Sequence, residues 1–250
     1  MRANVRAFVA LAAEVFALRG PVYEFGSYLV AGQEEDADLR SLFPGREYVG
    51  CDVRPGPGVD RIEDLAGLSL PSGSVPTAVC VDTLEHVFKI EQAVNELCRV
   101  LAPGGTLVVA VPFDFHVHHH PDDYWRLTPS CLARLLEPLE ASLVAWQGGD
   151  RRPHTVLGMG FKQPIAADLA SRLQQFVTAF QDWLRRAAET QPWKVKARRW
   201  LLGWLRSKGD RRRWREQYSA SFVLRLPVGG AAGAGLLAPP RPRSEGSRLS

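Results

Sequence analysis

Apolar residues along this chain gather into short runs that end at turn-forming residues. Val22 to Phe25 is stopped by Gly26, Glu47 to Cys51 by Asp52, Thr77 to Val81 by Asp82, and Thr106 to Val111 by Pro112. Each run is strand length and ends at a residue that opens a loop. Between the last two, Val87, Val94, Leu97 and Leu101 recur at helical spacing until Pro103-Gly104-Gly105 stops the pattern. Strand, helix, turn and strand form a βαβ unit, which needs a parallel sheet with right-handed crossovers. The predicted fold class is α/β.

Ahead of this unit, Val5, Val9, Ala12 and Phe16 share one helical face. Arg2 and Arg6 followed by an apolar stretch have the outline of a secretory leader. Glu14 and Arg19 interrupt it, and no small-residue cleavage site follows before Pro21, so residues 1–20 are read as an amphipathic opening helix. Downstream, Thr128-Pro129 predicts a helix start, with the hydroxyl as N-cap and proline at the first helical position. Its apolar face is Leu132, Leu135, Leu136 and Leu139, and Ser142 to Trp146 is a sixth strand. Thr155 to Phe161 and Ser221 to Leu226 both satisfy the pattern for the last strand. Between them lie two basic amphipathic helices, one through Leu169, Leu173, Phe176, Phe180 and Leu184, the other from Trp193 to Leu205. Pro227 to Ser250, rich in Gly, Ala and Pro, is predicted to be disordered.

Composition adds limits. With 46% apolar and 23% charged residues in 250, the chain can bury a real core, which excludes disorder throughout and rod-like folds. No run approaches the ~18 apolar residues of a membrane span. The four cysteines (Cys51, Cys80, Cys98, Cys131) show no C-x-x-C pairing, and three sit inside apolar stretches, which fits buried thiols in a reducing cytosol better than disulfides or a zinc site. The net charge of +4 averages two unlike regions: residues 179–218 hold twelve Lys/Arg against four acids, leaving the remainder at −4.

In an open parallel sheet, ligands bind beyond the carboxyl ends of the strands. Glu24, Gly26 and Ser27 follow the first strand here, Asp52 the second, Glu63, Asp64 and Leu65 the third, and Asp82 and Thr83 the fourth. This rim is acidic and carries neither G-x-G-x-x-G nor G-x-x-x-x-G-K-[ST], so a phosphate-bearing nucleotide is disfavoured. A nucleoside without phosphate, carrying positive charge, suits it better.

Four segments in order resemble the class I S-adenosylmethionine-dependent methyltransferases: Val22 to Ser27, Glu47 to Asp52, Val81 to Val87, and the RVLAPGG turn from Arg99 into Leu107. Pro121-Asp122-Asp123-Tyr124-Trp125-Arg126-Leu127-Thr128-Pro129 is similar to a type 11 branch of that family with a DYWR-x-TP segment. The resemblance implies a Rossmann-like, doubly wound, mostly parallel seven-stranded sheet with a helical C-terminal extension, and S-adenosyl-L-methionine as cofactor. It implies that Glu24, Gly26 and Ser27 shape the loop beside the methionine portion. Asp52 would bind the ribose hydroxyls, Asp64 and Leu65 would contact adenine, and Asp82 and Thr83 would line the pocket near the sulfonium. Where many members have E-x-G-x-G-x-G, this chain has Glu24-Phe25-Gly26-Ser27-Tyr28.

The candidate catalytic groups are His86 after the fourth strand, His119 within the His116–His120 cluster after the fifth, and Tyr124. No metal ligand is expected. Asp82, Glu85 and His86 resemble the acidic-His cluster of some quinone-pathway O-methyltransferases, which bind a divalent ion. That reading ranks behind Glu85 and His86 opening a helix, and H-x-H-H-H lacks the H-x-x-x-H geometry of zinc enzymes. The expected organisation is an opening helix (1–20), a cofactor-binding domain (21–161), a basic helical arm (162–226) and a tail (227–250). The expected protein is a cytoplasmic enzyme that methylates a small-molecule acceptor, such as a sugar, a lipid-linked compound or a natural-product intermediate. Contact with an anionic membrane surface through residues 179–218 ranks behind an ordinary lid, and nucleic acid is not an expected partner. The alternatives are a non-catalytic nucleoside-binding or scaffold protein that keeps the fold, and a nucleic-acid-directed methyltransferase that uses the basic arm.

Overall fold

The computed structural model describes residues 2–32, 34–118, 122–190, 217–227 and 235–237. In chain order the elements are α1 (Ala3–Val15), β1 (Val22–Phe25), α2 (Glu34–Ala37), β2 (Tyr48–Asp52), β3 (Arg61–Ile62), β4 (Val75–Val81), α3 (Ile90–Val100), β5 (Leu101–Pro112), α4 (Pro129–Leu135), β6 (Ala141–Gly149), β7 (Arg152–Phe161), α5 (Leu169–Glu189), β8 (Ala220–Arg225) and β9 (Gly235–Leu237). They build one sheet in the order β3-β2-β1-β4-β5-β7-β6-β8-β9. The pairs from β3 across to β5 are parallel, and every pair from β5 to β9 is antiparallel.

The expected Rossmann-like, doubly wound α/β sheet is present, with nine strands rather than seven and its parallel pairs confined to the β3 to β5 half. The two segments that competed for the last strand are both strands: Arg152–Phe161 lies between β5 and β6, and Ala220–Arg225 extends the edge beside β6. Only Asp150 and Arg151 separate β6 from β7, and a connection that short can join only antiparallel neighbours. Gly235–Leu237, inside the segment expected to be disordered, pairs with β8, and the remainder of 228–250 lies outside the described residues.

Both faces of the sheet are covered, and alternation along the central strands explains why. In β4, Val79 and Val81 point into one core while Ala78 and Cys80 point into the other. In β5, Val108 and Ala110 oppose Leu107, Val109 and Val111. α3 and α4 cover one face, burying Val94, Leu97 and Leu132, with Leu136 and Leu139 following α4. Thr128 caps α4 as predicted, its hydroxyl accepting the Cys131 N–H at 3.1 Å ahead of Pro129. α3 begins at Ile90, later than the periodicity predicts, because Leu84–His86 form a separate 3-10 turn.

α1 and α5 cover the other face together. The Phe8 ring meets Phe176 edge-on at 5.0 Å and Phe180 at 5.5 Å. α5 buries Leu169, Leu173, Phe176, Val177, Phe180 and Leu184, so this part of the expected arm is a layer of the core. Trp183 stacks on Phe180. The second basic helix, expected through Trp193 and Leu205, lies outside the described residues. No helix among the described residues is long and apolar enough to cross a membrane. Replacing Phe176 with Ala should therefore cost about 3–5 kcal/mol in chemical denaturation, as for a central core aromatic; a loss below about 1 kcal/mol would mean that α5 is peripheral.

Candidate active site

Strand order reverses between β1 and β4, and a cleft of about 600 Å³ opens there, beyond the carboxyl ends of β1 to β5. Glu24, Gly26, Ser27, Asp52, Asp64, Leu65, Asp82 and Thr83 all line it, and so does His86. Tyr124 is not among the lining residues, and His119 lies outside the described residues.

The loop after β1 is shaped by close approach. Gly26 has φ +92°, and a Cβ there would lie 2.0 Å from Thr83 Oγ1. Only glycine adopts this backbone at such proximity. The Gly26 and Ser27 N–H groups donate to the Cys51 carbonyl at 2.8 and 3.1 Å, while Thr83 Oγ1 donates to the Phe25 carbonyl at 3.1 Å. β1, β2 and β4 are thus locked together at one point. Ser27 Oγ is buried with no hydrogen-bond partner among the described residues. Such an atom costs free energy unless a ligand satisfies it.

The acids differ in their surroundings. Glu24 is buried and accepts a 2.7 Å hydrogen bond from the Tyr48 hydroxyl; burial outweighs that bond and pushes its carboxyl up to about 7. Asp52 Oδ1 accepts the Arg54 N–H at 3.0 Å, which fixes the carboxylate at the end of β2. Asp64 is exposed and accepts the Ala66 N–H, with buried Leu65 beside it. Glu63 is taken up structurally by Arg61, the Ser69 N–H and the Ser69 hydroxyl. Asp82 sits at φ +47°, a strained region for a side-chain-bearing residue, and its carboxylate pairs with Arg2 at 3.0 Å.

Arg2 and Arg54 correct the picture of a purely acidic rim. Arg2 reaches the cleft from the start of α1 and also donates to the His154 carbonyl at 3.0 Å. Arg54 lies over the Tyr28 ring, 4.5 Å from its centroid. Sequence inspection of the strand ends missed both, because α1 is remote along the chain and Arg54 lies two residues beyond the β2 end.

At the far end of the cleft, Glu85, His86, Phe115, His116 and His118 form the wall. His86 Nδ1 bonds to the Asp122 carbonyl, and His118 Nδ1 lies 3.0 Å from Asp123 Oδ2. Arg126 grips both oxygens of Asp123, which holds that carboxyl far below the usual range. The expectation that Glu85 favours a helix N-terminus fails: its 3-10 turn stands apart from α3, and its side chain is fully buried. Burial, reinforced by the Asp82 charge, pushes its carboxyl up to about 8. The Tyr124 hydroxyl donates to Asp122 at 2.8 Å and Trp125 Nε1 to the Val87 carbonyl at 3.0 Å, so residues 122–126 clamp the outside of this wall.

The cleft lies at the switch point of a doubly wound α/β sheet and is lined by carboxylates. Residues 43–109 match the family model of the methyltransferase domain. Over 65 residues the chain is 38% identical to a probable S-adenosylmethionine-dependent methyltransferase of Mycolicibacterium smegmatis, a match covering 26% of this chain and 23% of that protein. The matched segment thus spans about a quarter of the curated relative. Among solved structures, the chain is similar to 1,6-didemethyltoxoflavin-N1-methyltransferase of Burkholderia thailandensis (17% identity, 64% and 78% of the two chains, TM-score 0.47) and to a protein of Pyrococcus horikoshii (15%, 65% and 91%, TM-score 0.47). Over residues 43–109 the chain is thus similar to the methyltransferase domain of S-adenosylmethionine-dependent methyltransferases.

The raised Glu24 carboxyl has a consequence for stability. Because the folded state holds this proton more tightly than the unfolded chain, the contribution is full below about pH 4.5 and is lost as pH rises through about 7. Denaturation of wild type and Glu24→Gln at pH 5 and pH 8 should show a decline of order 2–3 kcal/mol in wild type that the variant lacks. Equal pH profiles would contradict the assignment.

Proposed function

We propose that this protein transfers a methyl group from S-adenosyl-L-methionine to a small-molecule acceptor bound at the Glu85–His118 end of the cleft. The observation that carries this reading is the convergence of Gly26, the unsatisfied Ser27 hydroxyl, Asp52 and Asp82 on one cleft at the switch point. The donor set fits a nucleoside bearing positive charge: carboxylates at the ends of β2 and β4, an apolar side chain at Leu65, and the unsatisfied Ser27 hydroxyl.

In this reading Asp52 accepts from the ribose hydroxyls, Leu65 and Asp64 meet the adenine, and Ser27 with Glu24 faces the methionine portion. When bound, the cofactor supplies an electrophilic methyl on a cationic sulfur. Asp82 provides negative potential for that cation, and Arg2 keeps Asp82 in position. The acceptor approaches from the side of Phe115, His116 and His118. Most of the rate enhancement expected of such a site comes from alignment of the acceptor atom, for which a fixed wall is sufficient. An acceptor that must lose a proton meets His86 and His118 there. His86 Nδ1 is engaged by the Asp122 carbonyl, and its Nε2 lies on the side of Glu85.

A cleft of about 600 Å³ holds a nucleoside and a compact second molecule, which supports a small acceptor such as a sugar, a lipid-linked compound or a natural-product intermediate. The segment from Asp122 to Arg126 bears on the acceptor wall through its backbone and its carboxylates. Of the catalytic candidates, His86 has the supporting geometry, whereas the Tyr124 hydroxyl is committed to Asp122.

Calorimetry should find binding of both S-adenosylmethionine and its demethylated product. Asp52→Ala should weaken each by about tenfold or more while leaving the unfolding midpoint within a few degrees. Absence of heat and of thermal shift at about 1 mM ligand would favour a scaffold that kept only the fold.

A further inference from the structure

Glu85 is the most unusual ionisable group of the described fold. It has 0% exposure, and neither carboxylate oxygen has a hydrogen-bond partner among the described residues. Arg2 and Arg126 act on it through their charge, yet each is bonded elsewhere, to Asp82 and to Asp123. A buried carboxylate is retained when it is paired or when it binds a cation. A proton alone would not satisfy it, because the neutral acid would then hold an unpaired donor as well as an unpaired acceptor.

The groups facing Glu85 are imidazoles. One donor atom from each of Glu85, His86 and His118 lies within 4.8 Å of the other two. His86 Nε2 stands 3.8 Å from Glu85 Oε1, and the two rings meet edge-on with centroids 4.9 Å apart. Each ring is oriented from behind: the Asp122 carbonyl holds His86 Nδ1, and Asp123, itself fixed by two contacts to Arg126, lies 3.0 Å from His118 Nδ1. Outer partners of this kind are what orient histidines in metal sites.

We propose that Glu85, His86 and His118 bind one divalent transition-metal ion at the acceptor end of the cleft. Two nitrogens and one carboxylate select zinc or a neighbouring first-row ion over calcium or magnesium, which take oxygen ligands. All three residues line the cleft, so the ion's remaining coordination positions face the space that an acceptor enters. This part rests on the methyltransferase reading: an ion with open positions selects an acceptor that offers an oxygen ligand, such as a hydroxylated compound. Asp82 stays outside the set because Arg2 already neutralises it.

The test uses full-length, tag-free protein stripped with a chelator, then titrated with Zn²⁺ by calorimetry and assayed for bound metal after dialysis. About one equivalent per chain is expected, with affinity reduced about 100-fold or more in Glu85→Gln and in His118→Ala, and retained in a His119→Ala/His120→Ala double variant. Because Glu85 is buried, each variant is also checked for thermal unfolding, and His118→Ala, on a loop, supplies a second variant if Glu85→Gln does not fold. The proposal is overturned if wild type binds less than one equivalent at micromolar Zn²⁺. It is also overturned if binding survives both ligand substitutions, or disappears in the His119/His120 variant. Titration with the demethylated cofactor product is run on the same samples. Its failure with metal binding intact would remove the methyltransferase reading and leave the metal site standing.

Discussion

The cleft depends on how closely the end of β1 approaches the end of β4. With no Cβ at position 26, the Thr83 hydroxyl occupies the space and ties back to the Phe25 carbonyl, while the Gly26 and Ser27 amides reach across to β2. Any larger residue at 26 would have to displace Thr83, and with it the turn that carries Glu85 and His86. The contact therefore sets the spacing of both ends of the cleft, the Asp52 end and the wall at Glu85. Gly50 serves the same junction from β2, since a Cβ there would meet the Gly58 carbonyl at 2.0 Å.

Electrostatics then divides that cleft. Its acids are held in different states by different means: Asp52 by a backbone N–H and Asp82 by Arg2, whereas Glu24 and Glu85 are buried and pushed towards neutrality. The two cations that answer them, Arg2 and Arg54, come from the opening helix and from the loop after β2. Packing of α1 against α5 is consequently part of the site. The Phe8, Phe176 and Phe180 cluster fixes the helix whose first turn delivers Arg2 to Asp82.

Strand ends were legible in the sequence because each apolar run stops at a residue with its own reason to stop, and all eight residues expected around the cofactor line the cleft. Their roles remain inferred from chemistry. What the sequence hid was of two kinds. Antiparallel placement of β7 between β5 and β6 depends on the two-residue Asp150-Arg151 turn, and neither residue is a strong hairpin former. The partners of Arg2, Glu85 and His118 are long-range. Arg2 lies eighty positions from Asp82, and no local periodicity reports such a contact. The amphipathic pattern of α5 was visible, but an apolar stripe with basic flanks looks alike on a membrane-facing helix and on a core layer. Phe176 and Phe180 decide for the core in the described part.

The aromatic and acidic segment from Asp122 to Arg126 acquires a physical rationale from what it grips. Its backbone N–H groups at Tyr124 and Trp125 donate to the Glu85 carbonyl, and its indole donates to Val87, so the segment is pinned to the turn carrying Glu85 and His86. The Asp123 carboxylate reaches the His118 ring and the Asp122 carbonyl the His86 ring, and Arg126 closes the set by holding Asp123 and the His116 carbonyl together. Five consecutive residues thus brace a wall to which Glu85, His86, Val87 and, from the loop after β5, Phe115, His116 and His118 contribute. A substitution in this segment would act on the cleft by rotating a histidine, since His86 and His118 take their orientation from the Asp122 carbonyl and the Asp123 carboxylate.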